Sequence, residues 1–281
     1  MVKNRKIPDW LKESSQSLKD ADIPEPEIEA KLTLGYLLKT SLGKISTMAI
    51  NNDNVPEYII EQANEIIYRR CSTRKPLAYL LGQWEFYGIL LDIDENVLIP
   101  RPETEVLVDA ILNNLPDDEI LGIDVGTGSG AVAIALLKNR KNWKIIGADI
   151  SYEALKVARR NAELNELSDR FFPIRCNLCE PFGRSDFIVA NLPYIPTEQF
   201  DELQPEVRCE PRKALDGGSD GLEFIRKTLV QFDNIETKFL ALEFGFGQKK
   251  RIIELIERKN YTYEIIEDYS KTPRIILIGK R

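Results

Sequence analysis

The sequence predicts an α/β protein built on a mostly parallel sheet, covered by helices on both faces and closed by an antiparallel end. A small N-terminal helical bundle and a β-hairpin precede it. Three observations point there. From about Leu98, strand-length apolar runs alternate with helix-length amphipathic segments, the pattern of βα units whose crossovers make neighbouring strands parallel. The last two strand-like runs follow one another with no helix between them, so they pair antiparallel. Before residue 76, short segments with helical apolar spacing are joined by short connections, as in a bundle.

The bundle occupies residues 1–75. Asp9 is placed to cap a first helix in which Leu11, Ser15 and Leu18 recur at helical spacing. Pro24 and Pro26 open a second, with Ile28, Leu32, Tyr36 and Leu37 near one face and Gly43 beyond its end. Pro56 opens a third, with Ile59, Ala63, Ile66 and Ile67 facing inward. Residues 76–97 form a linker. Trp84 and Phe86 alternate before Gly88, and Ile89, Leu91 and Ile93 alternate after it, which predicts a hairpin. Its aromatic side chains need something to pack on, so the connector is rigid.

The main domain runs over residues 98–281, with strands predicted at 120–125, 144–150, 171–176, 186–190 and 238–244. Helices fit 131–138, 152–164, 221–232 and 248–259, and the antiparallel end is 261–268 with 274–278. A chain of 281 residues accommodates one such domain of about 200 residues plus a smaller one. Its 43% hydrophobic content allows a sizeable core. No apolar run reaches the ~18 residues of a membrane span. The basic start Met1-Val2-Lys3-Asn4-Arg5-Lys6 has no apolar signal core behind it, so a soluble, cytoplasmic protein is expected.

A net charge of −7 argues against a nucleic-acid backbone as partner, which calls for a basic face. A protein or small-molecule partner fits better. There is no histidine, which excludes imidazole catalysis and imidazole metal ligation. Cys176 and Cys179 have the C-x-x-C spacing of a redox pair or half a zinc site, but no second pair completes one. These thiols, with Cys71 and Cys209, are read as buried or incidental in a reducing cytosol, and no metal is expected.

Two motifs carry chemistry. Asp124-Val125-Gly126-Thr127-Gly128-Ser129-Gly130 lies between a buried strand and a helix. Its glycines allow a tight turn and close approach of a ligand. Gly126, Gly128 and Ala131 also fit the dinucleotide fingerprint, so the turn alone is ambiguous. Asp124 helps to decide: a carboxylate there repels a pyrophosphate but favours the ammonium and sulfonium of S-adenosylmethionine. Asp149, at the end of the next strand, suits the ribose hydroxyls of either cofactor.

The second motif, Asn191-Leu192-Pro193-Tyr194, follows the apolar run Phe187-Ile188-Val189-Ala190, at the carboxyl end of a strand where ligands of open α/β sheets bind. An amide nitrogen is a poor nucleophile because its lone pair is delocalised. The Asn191 side-chain oxygen and the Leu192 carbonyl, which Pro193 leaves unladdered, are acceptors that can hold its hydrogens. Tyr194 offers a flat face to the planar group. Alignment with an electrophilic sulfonium then does much of the work, with no strong base required. The bland reading, a strand-terminating turn, loses ground beside the glycine turn.

With these motifs in place, the chain resembles the protein-glutamine N5-methyltransferases that modify peptide-chain release factors (HemK/PrmC type). The resemblance also rests on Lys75-Pro76-Leu77-Ala78-Tyr79-Leu80-Leu81-Gly82, Glu85-Phe86-Tyr87-Gly88, Leu98-Ile99-Pro100-Arg101-Pro102-Glu103-Thr104-Glu105, Glu210-Pro211-Arg212-Lys213-Ala214-Leu215-Asp216-Gly217-Gly218 and Glu243-Phe244-Gly245. Arg101 to Glu105 is the most specific of these. The resemblance implies a Rossmann-like class I methyltransferase sheet and S-adenosylmethionine as cofactor. The substrate it implies is the glutamine of a Gly-Gly-Gln loop in release factors, which the helical domain helps to hold. Carried over by motif, Gly126 to Gly130, Asp149, Asn177 and Leu178 contact the cofactor, together with Asp124 and Asn191. Asn191, Leu192, Pro193 and Tyr194 hold the glutamine and carry catalysis. Arg101 lines the active site or guides the substrate, the alternative being a salt bridge at the domain junction, while Glu210-Pro211 and Asp216-Gly217-Gly218 shape a loop over the pocket. A monomer is expected.

The chain departs from the family in one place, having Leu192 where the motif usually has proline. Leucine keeps the carbonyl and loses the fixed φ. Asn-Leu-Pro-Tyr also occurs in ribosomal-RNA adenine dimethyltransferases, so a nucleic-acid N6-adenine methyltransferase is the alternative enzyme. Those enzymes are not expected to carry the Arg101–Glu105 stretch or the helical domain, and they need a basic face. A third reading, a non-catalytic binding module, conflicts with the intact Asn191–Tyr194 motif.

Overall fold

The computed structural model describes residues 4–259 and 261–280; Met1-Val2-Lys3 of the basic start lie outside them. The chain divides into two compact units, one reaching to Gly82 and including Gln204–Cys209, the other comprising Gln83–Leu203 and the chain from Glu210 on. The segment 76–97 is therefore divided, its helix Leu77–Leu81 belonging to the first unit and its hairpin to the second.

In the first unit, β1 (Asn4–Lys6) pairs antiparallel with β2 (Asn54–Pro56). Four longer helices, Ile7–Asp20, Pro26–Leu38, Leu42–Ile50 and Glu57–Thr73, surround a core that includes Trp10, Leu18, Leu34, Ile45 and Ile60. The bundle thus has one more helix than the sequence pattern predicts. Ser41 caps Leu42–Ile50, its hydroxyl accepting from the Lys44 N–H at 3.3 Å. Gly43 lies beyond the second helix, as expected, but inside this additional one. Asp9 is likewise in the first turn of its helix, the cap being Lys6, where a carboxylate still complements the helix dipole. The second helix turns a different face inward. Ala30, Thr33 and Leu34 are buried while Ile28 and Tyr36 are exposed, and Leu37 packs partly against the same core. Arg70, 2% exposed, donates to Glu29 at 2.8 and 3.0 Å and to Glu206 at 3.1 Å. Two carboxylates offset the cost of burying its charge and fasten the short helix Pro205–Arg208 into this unit.

The second unit opens with the hairpin β3 (Gln83–Phe86) and β4 (Ile89–Asp92). The strands β5 (Leu121–Val125), β6 (Lys144–Asp149), β7 (Phe171–Arg175), β8 (Phe187–Asn191), β9 (Phe239–Glu243), β10 (Thr262–Glu267) and β11 (Pro273–Gly279) follow. They form one sheet in the order β10-β11-β9-β8-β5-β6-β7, parallel except that β11 runs antiparallel to both neighbours, as the sequence predicts. Consecutive side chains of β8, Phe187 to Ala190, are all fully buried. Because they point alternately to opposite faces, both faces are covered.

Helices Ala131–Asn139, Tyr152–Leu164, Glu223–Asn234 and Lys249–Glu257 match expectation to within two residues at most ends. An additional helix, Pro102–Asn114, starts inside the Arg101–Glu105 motif. Proline in its first turn and acids at Glu103 and Glu105 are ordinary helix-start chemistry. The hairpin is clamped rather than loose. Buried Asn161 accepts from the Asp92 N–H at 2.6 Å and donates to the carbonyls of Asp92 and Ser129, each at 2.9 Å, tying β4 to the glycine turn.

Candidate active site

Strand order reverses between β5 and β8, and Val125 of β5 is level with Ala190 of β8. The residues that follow, the glycine turn and Asn191 to Tyr194, therefore emerge side by side at the switch point where such sheets bind ligands. Gly126, Gly128 and Gly130 have φ of +72°, +54° and +80°, conformations that side-chain-bearing residues avoid. A Cβ on Gly126 would lie 3.1 Å from Leu192 Cδ2. The buried Leu192 side chain thus packs beneath the turn and joins the two motifs.

A cavity of about 680 Å³ opens here, lined among others by Gly126, Gly128, Asp149, Asn177, Leu178, Asn191, Leu192 and Pro193. This is the size range of small-molecule sites. Asp149 holds the N–H groups of Gly128 at 3.0 Å and Ser151 at 2.8 Å, and burial raises its pKa. Thr127, Ser129 and Gly130 shape the turn without lining the cavity. Asp124 lies beneath it, 2% exposed, accepting from the Thr127 hydroxyl at 2.6 Å. Burial pushes Asp124 up to about 7. It supports the turn and does not reach the cavity wall.

Asn191 donates through Nδ2 to the Thr104 hydroxyl at 3.0 Å, and that hydroxyl donates to Glu243 at 2.7 Å. Glu243 is 2% exposed, and its burial pushes it up to about 7. Gln248 fixes the backbone beyond, donating to the Tyr194 carbonyl at 2.8 Å and accepting from the Gly245 N–H at 2.8 Å. A Cβ on Gly217 would come within 2.7 Å of the Pro193 carbonyl, which explains the glycine in the Asp216-Gly217-Gly218 stretch. Arg101 does not line the cavity; it pairs with buried Glu210, which also accepts from the Ile99 N–H at 3.0 Å. That clamp fixes the chain just after the cavity-lining Asn96, Val97 and Leu98.

No sequence signal marks Asn96, Val97, Ile150 and Phe224 on the cavity wall, and Leu98, Lys213 and Ala214 there belong to motifs that leave them without a role. Thr104 and Glu243 likewise lie in motifs that leave them without a role. Cys176 and Cys179 are unpaired, and burial pushes them up to about 11 and about 12, far from reactive thiolates. Among the described residues no cluster suited to a metal is present and no helix is long and apolar enough to cross a membrane.

The wall fits a nucleoside carrying a charged tail. Two glycines of the turn present bare backbone, Asp149 presents a carboxylate, and Ile150, 61% exposed, joins Leu178 and Phe224 as apolar surface for a base.

The raised pKa values of Asp124 and Glu243 make a testable statement about stability. Between the ordinary carboxylate range and about 7 the folded chain keeps protons that the unfolded chain has released, so these groups favour folding at lower pH and that contribution fades as pH rises through about 7. No histidine titrates in the same window. The melting temperature should therefore be higher at pH ~6 than at pH ~8, and Glu243→Gln should flatten the difference. A wild-type melting temperature that falls on going to pH ~6 would count against this burial-driven assignment.

The sheet, the glycine turn and the acid-ended second strand define a methyltransferase fold. Solved structures agree: the hMettl16 catalytic domain superposes with a TM-score of 0.54 at 16% identity, covering 82% of this chain and 85% of that one. A ribosomal protein L11 methylase from Lactobacillus delbrueckii subsp. bulgaricus gives 0.50 at 18% identity over 67% and 84%. By sequence, residues 9–82 match the PrmC N-terminal domain and residues 103–208 match the family described as ribosomal protein L11 methyltransferase (PrmA). Release factor glutamine methyltransferase of Aquifex aeolicus is 34% identical over 89% of both chains, and that of Caulobacter vibrioides 37% identical over 92% of this chain and 91% of its own. The chain belongs to the release factor glutamine methyltransferase family. Family and fold together imply use of S-adenosylmethionine.

Proposed function

We infer that this protein transfers a methyl group from S-adenosylmethionine to the side-chain amide nitrogen (N5) of the glutamine in the Gly-Gly-Gln loop of peptide-chain release factors. One observation carries the reading beyond family membership. Asn191, on the cavity wall, has its amide nitrogen engaged by Thr104, which turns its oxygen away from that contact and leaves it to accept from a substrate N–H.

The cofactor supplies an electrophilic methyl; the chain supplies position. Gly126, Gly128 and Asp149 would hold the nucleoside and its tail, with Asn177 and Leu178 beside them, while Thr127, Ser129, Gly130 and Asp124 support the turn. The Asn191 oxygen and the Leu192 carbonyl accept the two hydrogens of the glutamine amide, orienting its nitrogen and raising its electron density. Tyr194 flanks the planar group. Methyl transfer makes the nitrogen cationic, and its proton then leaves readily to water, so no basic side chain is needed. Arg101, held by Glu210, guides the substrate from a fixed position.

The first unit is assigned to holding the release factor. Tyr58 and Tyr68 are exposed on it, and tyrosine is a favoured anchor at protein interfaces. Removing the chain before Gln83 should raise KM for release factor several-fold or more while product binding persists. A truncated enzyme that methylates release factor as well as the full chain does would refute that assignment.

Mass spectrometry of release factor incubated with enzyme and S-adenosylmethionine tests the activity itself. One added methyl on the Gly-Gly-Gln glutamine is expected. Methyl transfer to adenine in RNA instead, or to neither, would overturn the reading.

A further inference from the structure

The Asn191 contacts raise a question that the motif itself leaves open. A carboxamide is nearly symmetric in shape, and only its partners distinguish the oxygen end from the NH₂ end. Flipped by half a turn, Asn191 would present donors to the cavity, and two donors facing each other cannot hold a substrate NH₂.

We propose that Thr104 and Glu243 are positioning residues that fix the flip of the Asn191 carboxamide, so that its oxygen faces the substrate amide. The inference rests on the glutamine-methylating reading above and deepens it. The logic is one of hydrogen-bond direction. An ionised Glu243 has only acceptors to offer. The Thr104 hydroxyl, 2.7 Å away, must donate its single hydrogen to that carboxylate. Its lone pairs are then what Asn191 meets at 3.0 Å, and a lone pair selects the NH₂ end of the amide. The oxygen end is left for the cavity.

The three residues are brought together from distant parts of the chain. Thr104 lies in the first turn of Pro102–Asn114, Asn191 ends β8 and Glu243 ends β9, level with Asn191 in the parallel ladder. Thr104 and Glu243 are both buried, so water does not compete for the link. Tyr194, at the other end of the Asn191–Tyr194 motif, also lies within electrostatic reach of this carboxylate. Arg274, Glu103 and Tyr194 are the other charged or titratable groups that bear on Glu243.

The test uses the full-length enzyme at pH ~8, above the value of about 7 to which burial raises Glu243. Thr104→Val keeps the shape of the side chain and removes the hydroxyl. Thr104→Ser keeps the hydroxyl. Glu243→Gln keeps the volume but can donate as well as accept, so it no longer dictates direction. Each is assayed for methyl transfer to release factor, and each is titrated calorimetrically with S-adenosylhomocysteine to report that the cofactor site is intact.

Expected are a fall in kcat of about 10- to 100-fold in Thr104→Val and Glu243→Gln, the scale of a misplaced reacting group, with product affinity unchanged. Thr104→Ser should recover most of the rate. In an Asn191→Ala background, Thr104→Val should cost nothing further, because the residue through which it acts is gone. Full kcat in both Thr104→Val and Glu243→Gln would overturn the proposal, as would a Thr104→Val loss that is undiminished in the Asn191→Ala background. A wild-type enzyme that leaves release factor unmethylated would instead sink the reading on which the inference rests, and the inference with it.

Discussion

Replacing Asn191 by alanine is expected to lower kcat on release factor by about 10²- to 10³-fold, the cost of removing one preorganised polar contact from a site. The amide nitrogen of glutamine gains little from a nearby base, because it is not its proton but its delocalised lone pair that makes it unreactive. An acceptor fixed in advance opposes that delocalisation without reorganising during the reaction. On the proposed reading Asn191 is such an acceptor, since Thr104 already holds its other end at 3.0 Å. Alanine removes the acceptor and leaves Thr104 unpaired on that side. Affinity for S-adenosylhomocysteine should fall much less, because the glycine turn and Asp149 are untouched. Single-turnover methyl transfer, measured beside calorimetric product binding, separates the two effects. Near-normal turnover in Asn191→Ala would exclude the amide-holding role of the motif.

The contrast between Asn191 and its supports shows what the sequence can carry. The glycine turn and Asn191-Leu192-Pro193-Tyr194 were legible because each concentrates unusual chemistry in a few consecutive residues, and because strand–helix alternation places both at strand ends. Thr104 and Glu243 lie 139 residues apart, and nothing in either local stretch says that they meet. The helix Leu42–Ile50 was hidden because Gly43 looks like a terminator, although Ser41 supplies a good cap. Asp124 was legible as an acid beside the turn, but not its depth. Burial and the Thr127 hydroxyl direct it into the structure instead of toward the ligand. Leu192 reads in sequence as a departure from a proline motif. In the fold its side chain is buried under Gly126, a packing role that the resemblance does not supply.

Changing Asp149 to alanine is expected to weaken binding of S-adenosylhomocysteine by about 10- to 100-fold, corresponding to the ~1–3 kcal/mol cost of leaving buried polar groups unpaired. Two losses combine. The carboxylate lies on the cavity wall, where on the proposed reading it would accept from the ribose hydroxyls. It also receives the N–H groups of Gly128 at 3.0 Å and Ser151 at 2.8 Å, so its removal frees the turn that cradles the rest of the ligand. Asp149→Asn separates these contributions. One oxygen remains to accept, but the NH₂ group must face one of the two backbone donors, so a loss smaller than that of alanine is expected. The variants should reach near-normal rates at saturating cofactor, because Asn191 and its supports remain in place. Calorimetry with S-adenosylhomocysteine measures the affinities directly, and NAD run in parallel should give no heat. The glycine turn alone would suit a dinucleotide, and Asp149 would serve the ribose of either ligand, so the parallel titration is what distinguishes the two. Unchanged product affinity in Asp149→Ala, or tight NAD binding by an enzyme that ignores the product, would show that this cavity holds a different ligand.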